Sequence, residues 1–285
     1  MSDGTELLTR HWPSVSPVPW GHVLLVHGLG EQSGRYDHVG EHLARAGLAV
    51  DAFDLRGTGG SGGRRGHVER WSRFHDDLGE RLAAVRTAAG TDPVILYGHS
   101  MGGLIVAGYL LDDRPKPDLA VLGSPGLDST IASWKKRLAP LVARVAPTLA
   151  IPNDIRPETL SRDPSVGSNA AADPRNGTSS TARFGAEGLA AQARVRGDAR
   201  RGFGVPTLVI HGEDDGLVPV RASAVLSEAP GVERRTYPGL RHELHNEPEG
   251  PAILDDVIAW IRDRVGERAT LVAQPNTASG ERLER

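Results

Sequence analysis

The chain has 285 residues, 39% of them hydrophobic, enough to bury the core of one large domain or of two smaller ones. A formal net charge of −3 provides no positive field for nucleic acid, and the absence of cysteine excludes disulfides, cysteine-ligated zinc and a thiol nucleophile. The N-terminal segment lacks the pattern of a signal peptide, and no apolar run is long enough to span a membrane. We therefore expect a soluble, cytoplasmic protein with no nucleic-acid partner.

Short apolar runs recur along the chain and are nearly continuous, which is typical of strands covered on both faces of a parallel sheet. These runs are residues 22–27, 48–53, 93–97, 119–124 and 206–211. Between and after them, apolar residues at intervals of three and four predict amphipathic helices over 71–85 and 251–265. Alternating strands and helices indicate a doubly wound α/β sheet.

One region interrupts this alternation. Residues 126–201 contain no convincing buried strand; their first part carries a helical apolar stripe and their second part is polar and rich in small residues. We interpret them as a cap, partly mobile, inserted into a core formed by residues 1–125 and 202–266. Residues 267–285 show no periodicity and are predicted to form a disordered tail.

The apolar stripe of the cap supports two interpretations. Its residues are Ile131, Trp134, Leu138 and Leu141, and the cations beside it are Lys135, Lys136 and Arg137. An apolar face with adjacent cations is typical of a helix at a lipid surface, which predicts weak, reversible contact with membranes or micelles. The alternative is that the stripe packs onto the sheet as part of the core.

Two segments match the pattern G-x-S-x-G, around Ser61 and around Ser100, and their contexts differ. Ser100 follows a predicted strand and precedes a plausible helix, and a tight turn there raises the hydroxyl above the carboxyl edge of the sheet, at a helix N-terminus. Ser61 lies in the glycine-rich stretch RGTGGSGGRRG with no helix behind it. Ser100 is therefore the predicted nucleophile, and Ser61 is interpreted as a loop residue.

A serine nucleophile needs a base to take its proton and an acid to orient that base. On this type of sheet the three follow in the order serine, acid, histidine. Asp215, just beyond the strand that ends at residue 211, is the predicted acid, with Asp214 and Glu213 as alternatives. His242, after a turn-forming Pro-Gly pair, is the predicted base, and this chemistry needs neither metal nor cofactor. Structural roles are assigned to His27, His99 and His211.

Several segments resemble the monoacylglycerol lipase (serine aminopeptidase-like) branch of the α/β-hydrolase superfamily, over roughly residues 5–265. They are VLLVHGLGEQSGRYDHVGEHLARAGLAV, RGTGGSGGRRGHV, GHSMGG, HGEDDGLVP and YPGLRHELHNEP. The resemblance implies the α/β-hydrolase fold with a sheet of about eight strands, and the same triad. It also implies an oxyanion hole formed by the backbone N–H groups of Leu29 and Met101, and a pocket end suited to a glycerol headgroup, walled by Glu31, Arg35 and His245.

The function that the resemblance implies is hydrolysis of monoacylglycerols to fatty acid and glycerol, with a small lipid ester as the partner. A lysophospholipase or a broad carboxylesterase on the same triad is the alternative, followed by a ligand-binding protein of this fold with little turnover. The chain departs from the usual family pattern at Gln32, where histidine is common, and at Leu55, Thr58 and Gly60 in DLRGTGGS. These departures bear on specificity and leave the reaction class unchanged. No particular oligomeric state is predicted.

Overall fold

The computed structural model of the protein describes residues 1–273, in which strands and helices alternate. The strands are β1 (Thr9–Trp12), β2 (His22–Val26), β3 (Ala49–Phe53), β4 (Val94–His99), β5 (Leu119–Gly123), β6 (Ala150–Pro152), β7 (Ser179–Thr181), β8 (Thr207–Gly212) and β9 (Val232–Tyr237). The helices are α1 (Asp37–Arg45), α2 (Ser72–Ala89), α3 (Met101–Leu111), α4 (Ser133–Val145), α5 (Pro164–Ala172), α6 (Ala182–Asp198) and α7 (Gly250–Ala273). Each predicted strand, and the helix predicted over 71–85, is present within a few residues of its expected bounds.

The main sheet has seven strands in the order β1-β3-β2-β4-β5-β8-β9, and β6 and β7 form a separate pair. All neighbours in the main sheet are parallel except β1 and β3. Parallel strands that follow one another along the chain need crossover connections; α1 supplies the one from β2 to β3, α2 the one from β3 to β4, and α3 the one from β4 to β5. Where about eight strands were expected, the main sheet of the described residues has seven.

The core lies on both faces of the sheet. Leu24 of β2 and Leu96 of β4 belong to the apolar cluster on the side of α2 and α3, whereas the preceding residues, Val23 and Ile95, belong to the cluster on the side of α1 and α7. Successive side chains of a strand point to opposite faces, so a strand with both faces covered is apolar throughout. This explains why the buried strands are visible in the sequence as continuous apolar runs.

The residues predicted as the cap, 126–201, contain α4, the β6–β7 pair, α5 and α6. Its polar second part is folded: α5 begins after Asp163, whose carboxylate accepts a hydrogen bond from the Ser165 N–H. α6 packs against α4 and α3. The apolar stripe of α4 is exposed, with Trp134 62% accessible, so the interpretation of this stripe as core is wrong.

Two glycines of the core meet the backbone of the cap. The Gly177 N–H donates to the Gly30 carbonyl at 3.2 Å, and the Thr181 N–H donates to the Gly66 carbonyl at 2.8 Å. A Cβ at Gly30 would lie 2.8 Å from the Gly177 oxygen, and one at Gly66 would overlap the Ser179 carbonyl. The predicted cap, residues 126–201, therefore contacts the rest of the chain at two positions where a side chain has no room.

The last helix, α7, continues to Ala273, beyond the predicted end at residue 265. The first residues of the predicted disordered tail, 267–273, are therefore helical, and residues 274–285 lie outside the described part of the chain. Among residues 1–273, no helix combines the length and the apolar composition needed to cross a membrane.

Candidate active site

The predicted nucleophile, Ser100, is the residue between β4 and α3, and its backbone is strained. Its φ of 52° and ψ of −116° lie in a region that residues with a side chain rarely adopt. The Ser100 N–H donates to the Gly123 carbonyl at 2.8 Å, and its own carbonyl accepts from the N–H groups of Leu104 and Gly126. These bonds hold the turn that presents the hydroxyl at the carboxyl edge of the sheet.

Close approach of the backbone explains the glycines on either side of Ser100. A Cβ at Gly98 would lie 2.5 Å from the carbonyl oxygen of Gly102, and a Cβ at Gly102 would overlap the Val26 carbonyl of the neighbouring strand. The pattern G-x-S-x-G is thus a packing requirement of the strand-to-helix turn. Ser61, in the other match, donates its hydroxyl to the Asp54 carbonyl at 2.5 Å and lies buried in a loop.

The structure brings the three residues of the predicted triad together. His242 Nε2 lies 2.9 Å from Ser100 Oγ, and His242 Nδ1 lies 2.6 Å from Asp215 Oδ2. The other carboxylate oxygen of Asp215 accepts the N–H groups of Leu217 and Val218, both at 2.8 Å. All of these groups are within hydrogen-bond reach, as proton transfer from serine to histidine requires.

The electrostatics of the triad favour a charged acid and a basic histidine. Burial raises the pKa of Asp215, but His242, His211 and the Val218 N–H more than offset it and hold the pKa below its usual range. Burial likewise lowers the pKa of His242, but Asp215 outweighs it and raises this pKa above its ordinary value. Asp215 accepts the Nδ1 proton, which leaves the Nε2 lone pair directed at Ser100.

The loop that carries Leu29 lies against the nucleophile: a Cβ at Gly28 would be 3.1 Å from the Ser100 Cβ. Buried His27 accepts the Leu55 N–H on Nε2 at 2.9 Å, so its Nδ1 carries the proton and donates to the Gly28 carbonyl at 2.8 Å. In a trans peptide the carbonyl and the following N–H point in opposite directions. His27 therefore fixes the direction of the Leu29 N–H, a contribution to the site that the sequence analysis missed.

The second predicted oxyanion donor, Met101, is the first residue of α3. The first N–H groups of a helix have no partner within it, so the Met101 N–H is free to bind an anion. Within residues 1–273, neither the Met101 N–H nor the Leu29 N–H donates a hydrogen bond to another backbone group. Their role as an oxyanion hole stays a prediction, with one donor on the loop of Leu29 and the other at the start of α3, directly after Ser100.

The residues predicted to wall the glycerol end are close together, but two of them are already paired. The Arg35 guanidinium donates a hydrogen bond of 2.5 Å to the Glu31 carboxylate and two hydrogen bonds of 2.8 Å to the Glu243 carboxylate. His245 is buried, stacks on Tyr36 with ring centroids 4.9 Å apart, and has an Nε2 without a protein partner. The headgroup role of these residues stays a prediction, and His245 Nε2 is a buried polar atom among them that no described protein group bonds.

Glu243 is a buried acidic residue beside the triad that the sequence analysis did not single out. It directly follows His242, yet its partner Arg35 is 208 positions away along the chain. The signal in the sequence was its place in HELH, where an acidic side chain next to the base affects the local field.

Burial, with a contribution from His242, lowers the pKa of nearby His99 to about 3, so His99 is neutral beside the triad.

The sheet order, the serine turn and the distances at Ser100 are those of a serine hydrolase on an α/β-hydrolase scaffold. A family match described as "Serine aminopeptidase, S33" covers residues 17–249, and the chain belongs to that family. In the residues with described side chains, no group of three or more histidine, aspartate or glutamate side chains is arranged to hold a metal ion.

The chain is similar to known lipases. It is 35% identical to "Monoacylglycerol lipase" of Mycolicibacterium smegmatis, over 85% of this chain and 88% of that protein. It is 30% identical to "Monoglyceride lipase" of Rattus norvegicus, over 93% of this chain and 89% of that protein. The crystal structure of Paleococcus ferrophilus monoacylglycerol lipase superposes with a TM-score of 0.80 at 29% identity, covering 91% of this chain and 99% of that one. These likenesses confirm the predicted branch of the α/β-hydrolases and identify the chain as a serine ester hydrolase.

Proposed function

We propose that the protein hydrolyses the ester bond of monoacylglycerols to a fatty acid and glycerol. The observation that carries this proposal is the line of contacts from Ser100 through His242 to Asp215, with distances of 2.9 and 2.6 Å. The similarity to lipases acting on this class of ester, over most of the chain, supports the choice of substrate. The substrate is a small lipid ester, and no cofactor takes part in the proposed reaction.

In the first half of the reaction, His242 removes the Ser100 proton as the serine oxygen attacks the ester carbonyl carbon. The carbonyl oxygen becomes an oxyanion, which the N–H groups of Leu29 and Met101 bind. Loss of one such donor typically costs about 2.7–4 kcal/mol of activation free energy. The C–O bond to glycerol then breaks, and glycerol leaves with the proton from His242.

In the second half, His242 takes a proton from water, and the hydroxide attacks the acyl carbon on Ser100. The bond to the serine oxygen breaks, Ser100 regains the proton, and the fatty acid is released. Asp215 remains ionised throughout, because its low pKa favours the carboxylate that stabilises the imidazolium of His242.

Specificity is proposed to arise at the polar end of the pocket. A monoacylglycerol presents two free hydroxyls beside its ester, whereas a triacylglycerol presents none. A buried polar atom left without a partner costs about 1–3 kcal/mol, so a site that bonds hydroxyls rejects analogues lacking them. Because Glu31 and Arg35 already bind each other, most of this discrimination is expected from His245 Nε2.

A broad carboxylesterase is the second candidate, and the same ion pair favours it. Glu31 and Arg35 need no hydroxyl from a substrate, since protein groups already satisfy them. If His245 were also indifferent to the headgroup, the number of acyl chains would affect turnover little. A lysophospholipase would use the same triad, and its substrate would differ only in the headgroup.

Turnover of mono-, di- and trioleoylglycerol and of a lysophospholipid in one detergent separates these functions. We expect monooleoylglycerol well above dioleoylglycerol, and trioleoylglycerol barely hydrolysed. Ser100→Ala should abolish turnover of every ester, while Ser61→Ala should keep most of it, because the Ser61 hydroxyl is bonded in a loop. Equal rates on the three glycerides would contradict the monoacylglycerol proposal and favour the broad carboxylesterase.

A further inference from the structure

We propose that Arg35 clamps the loop of the oxyanion hole to the loop of the catalytic histidine, and that Glu243 is a positioning residue for the reaction. The oxyanion loop is residues 27–31 and the histidine loop is residues 242–246. The proposal rests on the acyl-enzyme chemistry proposed for Ser100. It assigns Arg35 and Glu31 to holding the catalytic groups, where the family resemblance implied contact with the headgroup.

On the side of the oxyanion loop, Glu31 joins three groups. Its Oε1 accepts the Gly28 N–H at 2.5 Å and the Tyr36 hydroxyl at 2.6 Å, and its Oε2 accepts from Arg35 at 2.5 Å. Gly28 directly precedes Leu29, the predicted donor to the oxyanion. The Glu31 carboxylate therefore holds the nitrogen of Gly28, one peptide before the one that carries this donor.

On the side of the histidine loop, Arg35 binds Glu243 through both nitrogens of its fork, each at 2.8 Å. The Asn246 amide donates to the same carboxylate at 2.7 Å, and the Glu243 N–H donates to the carbonyl of Leu160 at 2.8 Å. Glu243 directly follows His242. One guanidinium thus ties the residue after the base to the carboxylate that holds the oxyanion loop.

The clamp is buried and depends on the shape of arginine. The side chains of Glu31, Arg35 and Glu243 are 5%, 13% and 3% exposed. Burial works against the Arg35 cation, but the two carboxylates outweigh it and raise its pKa above the usual range. Only a planar fork binds two carboxylates at fixed angles, so lysine is not an equivalent replacement.

The clamp and a headgroup site predict different kinetics. A headgroup contact is used only by a substrate that contains glycerol, so its loss affects monoacylglycerol and spares an ester such as p-nitrophenyl butyrate. A clamp positions the catalytic groups for any ester, so its loss lowers kcat for both substrates. A displacement of about 1 Å at such groups costs up to about 100-fold in rate.

The test compares Glu243→Gln with the wild type on monooleoylglycerol and on p-nitrophenyl butyrate. We expect kcat to fall about 10- to 100-fold on both esters, with KM changed little. The matched control is Glu41→Gln, which removes the acid of an exposed Glu–Arg pair, Glu41 and Arg45, with the same four-residue spacing as Glu31 and Arg35. The control should keep wild-type kcat on both substrates.

The pH profile adds a readout that a general loss of packing would not shift. The charged and titratable groups around His242 are Asp215, Glu31, Arg35, His99, Glu243 and His245. Glu243 raises the pKa of His242, so removal of its charge should move the acid limb of kcat/KM to lower pH. An acid limb at the wild-type pH would contradict the proposed electrostatic interaction between the Glu243 carboxylate and His242.

A loss confined to monooleoylglycerol, or a change in KM alone, would assign the headgroup role and overturn the clamp. If thermal unfolding shows that Glu243→Gln does not fold, Arg35→Lys serves instead, since it keeps the charge and loses the fork; wild-type kcat there would also overturn the proposal. A wild type that cleaves p-nitrophenyl butyrate but not monooleoylglycerol would contradict the proposed function alone, because the clamp is then tested on p-nitrophenyl butyrate.

Discussion

Burial separates the three consecutive acidic residues that follow β8. Asp215 is buried and faces His242, whereas Asp214 and Glu213 are exposed. The sequence placed all three beyond a strand end, and the chain order of a triad favoured one of them. Which carboxylate points inward depends on the turn, where the N–H groups of Leu217 and Val218 bind Asp215.

We expect Asp215→Asn to lower turnover by about 10⁴, because an amide neither holds the reactive tautomer of His242 nor stabilises its imidazolium. Asp214→Asn is the matched control and should remain near wild type, since its side chain is exposed. Measurement of kcat for both variants on one ester checks this. A larger loss at Asp214 would move the acid one residue back.

The pH dependence of activity follows from the raised pKa of His242. The histidine accepts the Ser100 proton only when neutral, so the rate falls as pH drops through its pKa. Because Asp215 more than offsets the effect of burial, we expect the midpoint of the acid limb above the ordinary histidine value of 6.5. A kcat/KM profile in buffers of constant ionic strength measures it; a midpoint below 6.5 would show that burial dominates.

At the scale of elements, α4 presents an apolar face to solvent, which favours the proposal that the cap contacts lipid. The exposed residues of this face are Trp134, Leu138, Leu141 and Val145, and Ile131, just before the helix, is exposed as well. Lys136 is paired with Asp128 at 2.6 Å, and the Lys135 ammonium lies 5.8 Å from the centre of the Trp134 ring. An apolar face of this kind binds membranes weakly and reversibly when cations lie beside it.

Co-sedimentation with liposomes tests this contact. Wild-type protein should bind, and Trp134→Ala should bind less, because the largest exposed ring is lost. Val18→Ala, which removes an exposed apolar side chain outside the cap, is the control and should bind like the wild type. Absence of binding by the wild type would end the proposal.

Elements buried on both faces were predictable, and edge elements were not. β2 and β4 are buried at every residue and appear as apolar runs. β9, with the sequence VERRTY, is half-buried throughout, and the four residues of β1 alternate between exposed and half-buried. Their strand conformation comes from pairing with a neighbour, which leaves little trace in local hydropathy. The amphipathic pattern of α4 likewise predicted a helix without indicating what its apolar face contacts.

At the scale of the whole molecule, chain order predicted the triad but not the clamp. Ser100 and His242 are 142 positions apart, and the fold requires both at the carboxyl edge of one sheet. No comparable rule joins Arg35 to Glu243, because their contact depends on how two loops pack. Contacts between loops that are distant in the sequence can be identified only from the three-dimensional structure.

The close backbone contacts at Gly30 and Gly66 limit which segments of this enzyme can be exchanged with those of its relatives. The predicted cap is one continuous segment, residues 126–201, so its exchange with the corresponding segment of a relative is a natural experiment in design. Here, however, the incoming backbone must pass over two core positions that have no room for a side chain. A donor segment whose backbone follows the same path therefore needs a host with glycine at both sites, so the choice of host matters as much as the choice of segment.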